Sequence, residues 1–530
     1  MPTFTKIIEP CINYFRAIGF KTSFQCNKSK VPLLTNLPVL CIITAYRQRC
    51  LMEALSVFFY GKRKGVRKTV MAKSESDHIH EECGVFGIYS SSGRQVSYDI
   101  YDGLVALQHR GQESAGITVS DTSGARGNLM TQKGMGLVSE VFSSKEIEKL
   151  QGNIGVGHVR YSTTGGSTPE NAQPIAMNYI KGSLALVHNG NIMNAEKIKK
   201  AQMFRGQAHY TTSDSEVLAY EIISERINCS SVEEAVLRVV GKLKGGFACI
   251  IMSPRKLIGF RDPHGIKPLI LGKKNDAYIL ASESAAIQAV DGEIIRDIRP
   301  GEIIIISEDS ICSREDLCGM NQAHCIFEYI YFARSDSVID GVEVHDARFR
   351  AGQALARSSA TEADLVAGVP DSGLIAAEGF AFESGIPFAL VFHKNSYIGR
   401  SFIKPSASER EAAVHRKLNV LKSMVDGKRI ILIDDSIVRG TTMRQIVGML
   451  RLAGAREVHV RISSPPFLYP CYYGTDVPNS QQLIASEHST EDIRRRIEAD
   501  SLNYLSIEDF RSMIGELSLC TACFTGKYPV

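Results

Sequence analysis

The 530-residue sequence has no apolar stretch long enough to span a bilayer, no secretory signal, no internal repeat and no low-complexity tract. These absences exclude a helical membrane protein, a repeat solenoid and a secreted disulfide scaffold. Acids are nearly missing from the first 70 residues, where 2 Asp and Glu stand against 12 Lys and Arg. The formal net charge of +4 therefore belongs to this leader. The remainder carries 49 basic and 55 acidic residues, which gives no charge argument for a nucleic-acid partner. Hydrophobic residues make up 44% and charged residues 22%, ordinary globular usage that excludes wholesale disorder.

Residues 1–70 combine Lys, Arg and hydroxyl residues, and their longest apolar stretch, Val31 to Tyr46, is interrupted by Thr35, Asn36 and Pro38. Two readings fit: an organelle transit sequence, or a non-native extension ahead of a start at Met71. The second is favoured because no amphipathic periodicity persists. A cytoplasmic protein is expected, or an imported one if the leader is a genuine transit sequence. Residues 71–82 form a short polar segment ending in Glu81-Glu82.

Cys83 follows, at the head of the alternating apolar run Gly84-Val85-Phe86-Gly87-Ile88. A free cysteine is commonly a buried packing residue. The functional alternative is cleavage after Glu82, freeing an α-amine with a pKa of roughly 8 to act as base for its own thiol. Four further segments follow in order: Gln108-His109-Arg110-Gly111-Gln112, Gly157-His158-Val159-Arg160-Tyr161, His188-Asn189-Gly190-Asn191, and Thr212-Ser213-Asp214-Ser215-Glu216. Each alone is weak, since Asn189-Gly190 also reads as a turn and Arg160 or Asp214 as a structural ion pair.

Together these segments resemble the class II glutamine amidotransferases, which are N-terminal-nucleophile hydrolases. The resemblance implies that Cys83 attacks the glutamine side-chain amide and that Asn189 and the Gly190 N–H form the oxyanion hole. It also implies that Arg160 and Asp214 hold the α-carboxylate and α-ammonium of the substrate. The chemistry wants those groups: losing one oxyanion donor typically costs ~10²–10³ in rate, and a guanidinium matches a carboxylate bidentately.

Downstream, strand and helix patterns alternate, which argues for a parallel sheet. Arg429 to Asp435 is an apolar run ending in two acids, followed by the loop Ser436 to Gly440, a helical pattern through Leu450 and a strand-like Glu457 to Ile462. A hydroxyl-rich turn into a helix N-terminus suits a sugar phosphate. The stretch closely resembles the phosphoribosyltransferase signature for 5-phosphoribosyl-1-diphosphate (PRPP). That resemblance implies that Asp434 and Asp435 meet the ribose hydroxyls, directly or through Mg²⁺, and that Ser436, Arg439, Gly440, Thr441 and Thr442 cradle the 5-phosphate. It assigns Asp371 and Ser372 to the pyrophosphate, with Ser372 also on the metal, and Lys394, Tyr397 and Arg400 to a loop that closes over the site. Ser396 stands where related sequences usually have Arg.

Thirteen cysteines include four in the leader, Cys83, and a C-x₂-C pair at Cys520 and Cys523. A lone C-x₂-C fits zinc, redox chemistry or neither. With the text around Cys325 and Cys471, it resembles the iron–sulfur, propeptide-bearing branch of the amidophosphoribosyltransferases, implying a 4Fe–4S cluster on Cys325, Cys471, Cys520 and Cys523. The same four thiols suit zinc. Cys229, Cys249, Cys312 and Cys318 are left as packing or surface thiols.

The expected organisation is a leader (1–70), a propeptide (71–82), a glutaminase domain with a four-layer αββα sandwich (83–315), a parallel α/β type I phosphoribosyltransferase domain (325–475) and a C-terminal cysteine-bearing segment (476–530). Ile303 to Ile306 is expected as the last strand of the first domain, with Ser307 to Met320 as connection. The family resemblance implies ammonia transfer from glutamine to C1 of PRPP, no membrane or nucleic-acid partner, a homotetramer and purine nucleotide inhibitors. Two other readings share part of the pattern. A hexosamine-forming amidotransferase would lack Asp434-Asp435, and a non-enzymatic regulator on a phosphoribosyltransferase fold would not need Cys83, Arg160 and Asp214.

Overall fold

A computed structural model describes residues 83–123, 128–161, 166–308, 310–395, 418–475 and 480–530. All lie within one compact unit. The leader, residues 71–82, Ser396, Tyr397 and Arg400 lie outside the described residues.

The first half is built on two antiparallel sheets. The seven-stranded sheet runs, edge to edge, Glu293–Asp297, Ile270–Lys274, Ala277–Ala281, Gly84–Ser90, Ile154–Arg160, Ser114–Ser120 and Met130–Met135. The six-stranded sheet runs Ile311–Arg314, Ile303–Ile306, Leu257–Arg261, Gly245–Met252, Gly182–Ile192 and Ile175–Tyr179. Strand alternation assigns each side chain to a layer. Val85 and Tyr89 enter the core between the sheets with Val187, Ala248 and Ile250, while Phe86 and Ile88 face the helix Ser97–Ala106 through Ile100 and Leu104. On the second sheet Ile304 and Ile306 point inward and Ile303 and Ile305 outward, toward the helices Asp214–Asn228 and Val232–Val240. The result is the expected αββα sandwich. One strand was not anticipated: Ile311–Arg314, inside the stretch read as connection, pairs with Ile303–Ile306 at the sheet edge. All four of its residues are exposed, so it carries no apolar alternation to announce it.

The second half holds a parallel sheet in the order Leu365–Gly368, Arg429–Asp434, Glu457–Ile462, Ser501–Tyr504. Its central strand Arg429–Asp434, buried on both faces, reads as a continuous apolar run. Ile431 and Ile433 pack with the helices Val344–Ser358 and Leu374–Ser384, and Ile430 and Leu432 with Met443, Ile446 and Leu450 of the helix Thr441–Leu452. The fourth strand lies beyond residue 475, so the sheet draws on the segment expected to be a separate C-terminal extension. No helix among the described residues is long and apolar enough to cross a membrane.

The halves are joined by buried ion pairs, Arg110 with Glu328 and Arg261 with Asp340, and within the second half His324–Cys325 pairs in parallel with Leu519–Cys520.

Candidate active sites

Register builds the first site. Gly84 pairs with Val159, which sets Cys83 at the level of Arg160, and Ser114 pairs with Arg160 from the other side, bringing Glu113 alongside. The Cys83 thiol donates to the Tyr161 carbonyl at 3.3 Å. Burial pushes its pKa up to about 11, against the pull of Arg160, while Glu113 and Asp214 reinforce the rise. Cys83, Arg160 and Asp214 therefore share one electrostatic neighbourhood. Arg160 is buried and forms an ion pair with Glu113, a partner no motif announced.

Asn189 and Gly190 lie toward the C-terminal end of the long strand Gly182–Ile192, opposite Ala248 and Phe247, and do not form a turn. Asn189 is fully buried, yet neither its side-chain oxygen nor its nitrogen has a hydrogen-bond partner. A buried amide without partners is costly in a resting structure and is what a site awaiting a polar substrate presents. Gly190 has φ +125°, and a Cβ there would meet the Gly246 carbonyl oxygen at 2.1 Å, so only glycine fits. Asp214 opens its helix and accepts from the Ile192 N–H at 2.9 Å, which ties it to the same strand.

Two histidines and a glutamine stiffen this strand. The Gln173 side chain accepts from the His188 N–H at 2.8 Å and donates to Ser215 Oγ at 3.1 Å. His188 Nδ1 lies 3.1 Å from Ser215 Oγ, and His158 Nε2 lies 3.0 Å from the His188 carbonyl. Burial lowers the pKa of both histidines, His158 to about 3, so both are neutral at pH 7. Gln173 belongs to none of the motifs and carried no local signal.

The second site sits at the carboxyl ends of the parallel strands, where ligands bind in such sheets. Asp434 and Asp435 are both buried. The Ser372 hydroxyl donates to Asp434 Oδ1 at 3.3 Å, the Asp435 N–H to the same oxygen at 2.9 Å, and the Ser436 hydroxyl to Asp435. Burial and the adjacent Asp435 charge hold Asp434 well above the usual carboxylate range. Lys394 pairs with Asp371 at the rim. Gly440 precedes the helix that begins at Thr441 and Thr442, while Arg439 donates to Gln482 at 2.7 Å. Arg348, whose buried guanidinium donates to the Tyr329 and Ala333 carbonyls, feels the Asp435 charge and was not anticipated.

Cys325, Cys471, Cys520 and Cys523 line a single cavity with Lys267, Phe327, Phe467 and Tyr473. Burial raises the pKa of Cys325, Cys520 and Cys523, and the neighbouring thiols add to each rise. The donor chemistry fits a thiolate-bound metal group. The four are gathered but not closed: among the described residues no three His, Cys, Asp or Glu side chains converge as a ready ligand set. Cys229 and Cys249 are buried and Cys312 exposed, and none of the three lines this cavity.

A glutaminase sandwich headed by a cysteine and joined to a parallel sheet ending in paired acids defines a glutamine amidotransferase coupled to a phosphoribosyltransferase. Family models agree, a glutamine amidotransferase domain matching residues 158–289 and a phosphoribosyl transferase domain residues 343–463. Amidophosphoribosyltransferase from Bacillus subtilis is 46% identical over 464 residues, 86% of this chain and 96% of the relative. That of Methanocaldococcus jannaschii is 45% identical over 84% of this chain and 97% of the relative. A solved structure described as the B. subtilis glutamine PRPP amidotransferase complexed with ADP and GMP superposes with a TM-score of 0.78, covering 84% of this chain and 97% of that one. The chain belongs to the amidophosphoribosyltransferase family. It is an enzyme that transfers the amide nitrogen of glutamine to PRPP in purine biosynthesis.

Proposed function

We propose that Cys83 is the glutaminase nucleophile and becomes the first residue when the chain is cleaved after Glu82. Its freed α-amine accepts the thiol proton as Sγ attacks the glutamine side-chain carbonyl, and that proton leaves on the departing ammonia. Water then hydrolyses the thioester to glutamate. Asn189 and the Gly190 N–H carry the oxyanion, and Arg160 and Asp214 bind the two ends of the amino acid. The observation that carries this reading is the pair of unpartnered amide atoms on fully buried Asn189, in the strand that also ties down Asp214.

In the second site Asp434 and Asp435 bind ribose hydroxyls, Ser436 and Arg439 to Thr442 the 5-phosphate, and Asp371, Ser372, Lys394, Tyr397 and Arg400 the diphosphate side. Ammonia displaces pyrophosphate from C1, giving 5-phosphoribosylamine. Mg²⁺ on Ser372, Asp434 and Asp435 would supply charge neutralisation of the diphosphate, in keeping with a buried acid pair whose own repulsion leaves Asp434 hard to ionise. The four gathered thiols would hold a 4Fe–4S cluster in a structural role, tying the C-terminal segment to both halves. We further propose a cytoplasmic homotetramer regulated by purine nucleotides; the ADP and GMP named for the B. subtilis structure support the regulation alone.

Intact mass and N-terminal sequencing of active protein test the cleavage, and a chain still carrying residues before Cys83 would overturn it. Cys83→Ala is expected to lose glutamine-dependent synthesis and keep ammonia-dependent synthesis. Loss of both by a folded variant would overturn the division of labour.

A further inference from the structure

The loop Cys471–Gly474, which follows the strand Glu457–Ile462 of the parallel sheet and carries one of the gathered thiols, touches the oxyanion strand of the other half at two points and the strand beside it at a third. Asn191 Nδ2 donates to the Tyr472 carbonyl at 2.8 Å. Gly474, at φ +111°, approaches the Gly190 backbone so closely that a Cβ on it would lie 2.9 Å from the Gly190 carbonyl carbon. A Cβ on Gly246 would lie 3.1 Å from Cβ of Tyr473. Gly190 is thus gripped between the Gly246 carbonyl on the adjacent strand and Gly474 on the loop. The loop is itself held, since the buried Tyr473 hydroxyl accepts from the Val530 N–H at 3.1 Å and the Tyr473 N–H points at Cys471 Sγ at 3.4 Å.

We propose that this loop is a strut for the glutaminase oxyanion hole, with Asn191 and Gly474 as positioning residues that hold Asn189 and Gly190 in place from the phosphoribosyltransferase half. The proposal rests on the reading of Asn189 and Gly190 as oxyanion donors. Its physical basis is that an oxyanion donor works only if fixed before charge develops, and a misplacement of about 1 Å costs on the order of 10²-fold in rate. No side-chain hydrogen bond fixes the Asn189 amide, so its aim depends on its backbone, and the Asn191 tether lies two residues along the same strand. The fourth residue of His188-Asn189-Gly190-Asn191 thereby gains a role distinct from the second: it touches no substrate and acts through its neighbours.

The test uses the full chain with its native metal content, comparing wild type, Asn189→Ala, Asn191→Ala, Asn191→Asp and Gly474→Ala. Thermal unfolding of each variant identifies any that do not fold, and Asn191→Asp, which keeps the side-chain shape but removes the donor, carries the measurement if Gly474→Ala does not fold. Expected is a fall of about 10- to 100-fold in glutaminase kcat for the Asn191 variants, with KM for glutamine within about twofold and ammonia-dependent synthesis unchanged. A general loosening would instead lower both activities together or raise KM, and either outcome overturns the strut. Wild-type kcat in the Asn191 variants alongside a large loss in Asn189→Ala overturns the strut and leaves the oxyanion reading standing. Wild-type kcat in Asn189→Ala overturns the oxyanion reading itself.

Discussion

Arg110 of the glutaminase half and Glu328 of the phosphoribosyltransferase half form an ion pair from which water is excluded, their side chains 0% and 2% exposed. Arg110 also pairs with Glu283, which accepts from the Arg334 N–H at 2.9 Å and the Ser337 hydroxyl at 2.7 Å and lies 2.7 Å from His109 Nε2. Arg261 makes a second such crossing, meeting Asp340 through both terminal nitrogens at 2.7 and 2.8 Å. Buried charges repay their desolvation only when their hydrogen-bonding capacity is met, so these networks favour one docking of the halves over any other.

Glu328→Ala leaves the Arg110 guanidinium buried with one carboxylate instead of two. Breaking a buried pair in this way costs roughly 3–5 kcal/mol, because the stranded charge stays out of water. The chemical denaturation midpoint is expected to fall accordingly, with Glu328→Gln, which keeps an acceptor for the guanidinium, affected less. A wild-type midpoint in Glu328→Ala would show that the pair contributes nothing net.

Stability should also fall with acidification in two stages. His158 is buried neutral, with its pKa lowered to about 3 from an unfolded value near 6.5, and His188 is shifted in the same direction. Between those values the unfolded chain binds protons that the folded chain does not. Stability therefore drops by about 1.4 kcal/mol per pH unit for each such histidine as pH falls below about 6.5. Glu283 and Asp340 have pKa values held below the carboxylate range despite burial, by His109 and Arg110 and by Arg261 respectively. Their contribution is full above the unfolded carboxylate pKa of about 4 and is lost as pH falls through their folded values. Urea midpoints measured from pH 7 to 4 should show the first stage, and His158→Gln should flatten it. An unchanged slope in that variant would remove His158 from the account.

The contrast between these networks and the motifs shows what a linear sequence carries. Ile303–Ile306 and Arg429–Asp434 were legible because a buried strand needs apolar side chains whatever surrounds it. The positions of Cys83, Arg160, Asp214, Asp434 and Asp435 were legible because they stand in recognisable motifs at strand and helix ends. Gln173, Glu113 and Arg348 acquire their partners only through contacts across fifteen or more residues, and each alone reads as an ordinary polar residue. Ser501–Tyr504 escaped because a four-residue edge strand with one buried side chain, Leu502, has too little pattern to stand out.

Asp435→Asn separates the two sites. It removes a charge that destabilises ionised Asp434, so the resting protein should unfold no earlier than wild type. Synthesis from glutamine and from ammonia should both fall by at least ~10²-fold, by the measure of a lost preorganised electrostatic contact, while glutamine hydrolysis continues. Steady-state assays with each nitrogen source report this directly. Synthesis at the wild-type rate would sink the assignment of Asp435 to ribose or metal.

The gathered thiols make the last prediction. Desolvation makes Cys325, Cys520 and Cys523 harder to ionise than free thiols, and each neighbouring thiolate would make the next one harder still. Lys267 offsets part of that repulsion at Cys325 and Cys520 and a bound cation would offset the rest, so loading the site should release protons and order the segments around it. Two of the four thiols sit in the backbone pairing of His324–Cys325 with Leu519–Cys520, and a third begins the loop anchored by Val530. Anaerobically purified protein is expected to contain iron and acid-labile sulfide, and Cys520→Ser to lose both while hydrogen exchange quickens across that pairing. Zinc at about one per chain, without sulfide, would replace the cluster with a tetrahedral site on the same thiols. Neither metal, with unchanged exchange in Cys520→Ser, would leave the four as packing residues.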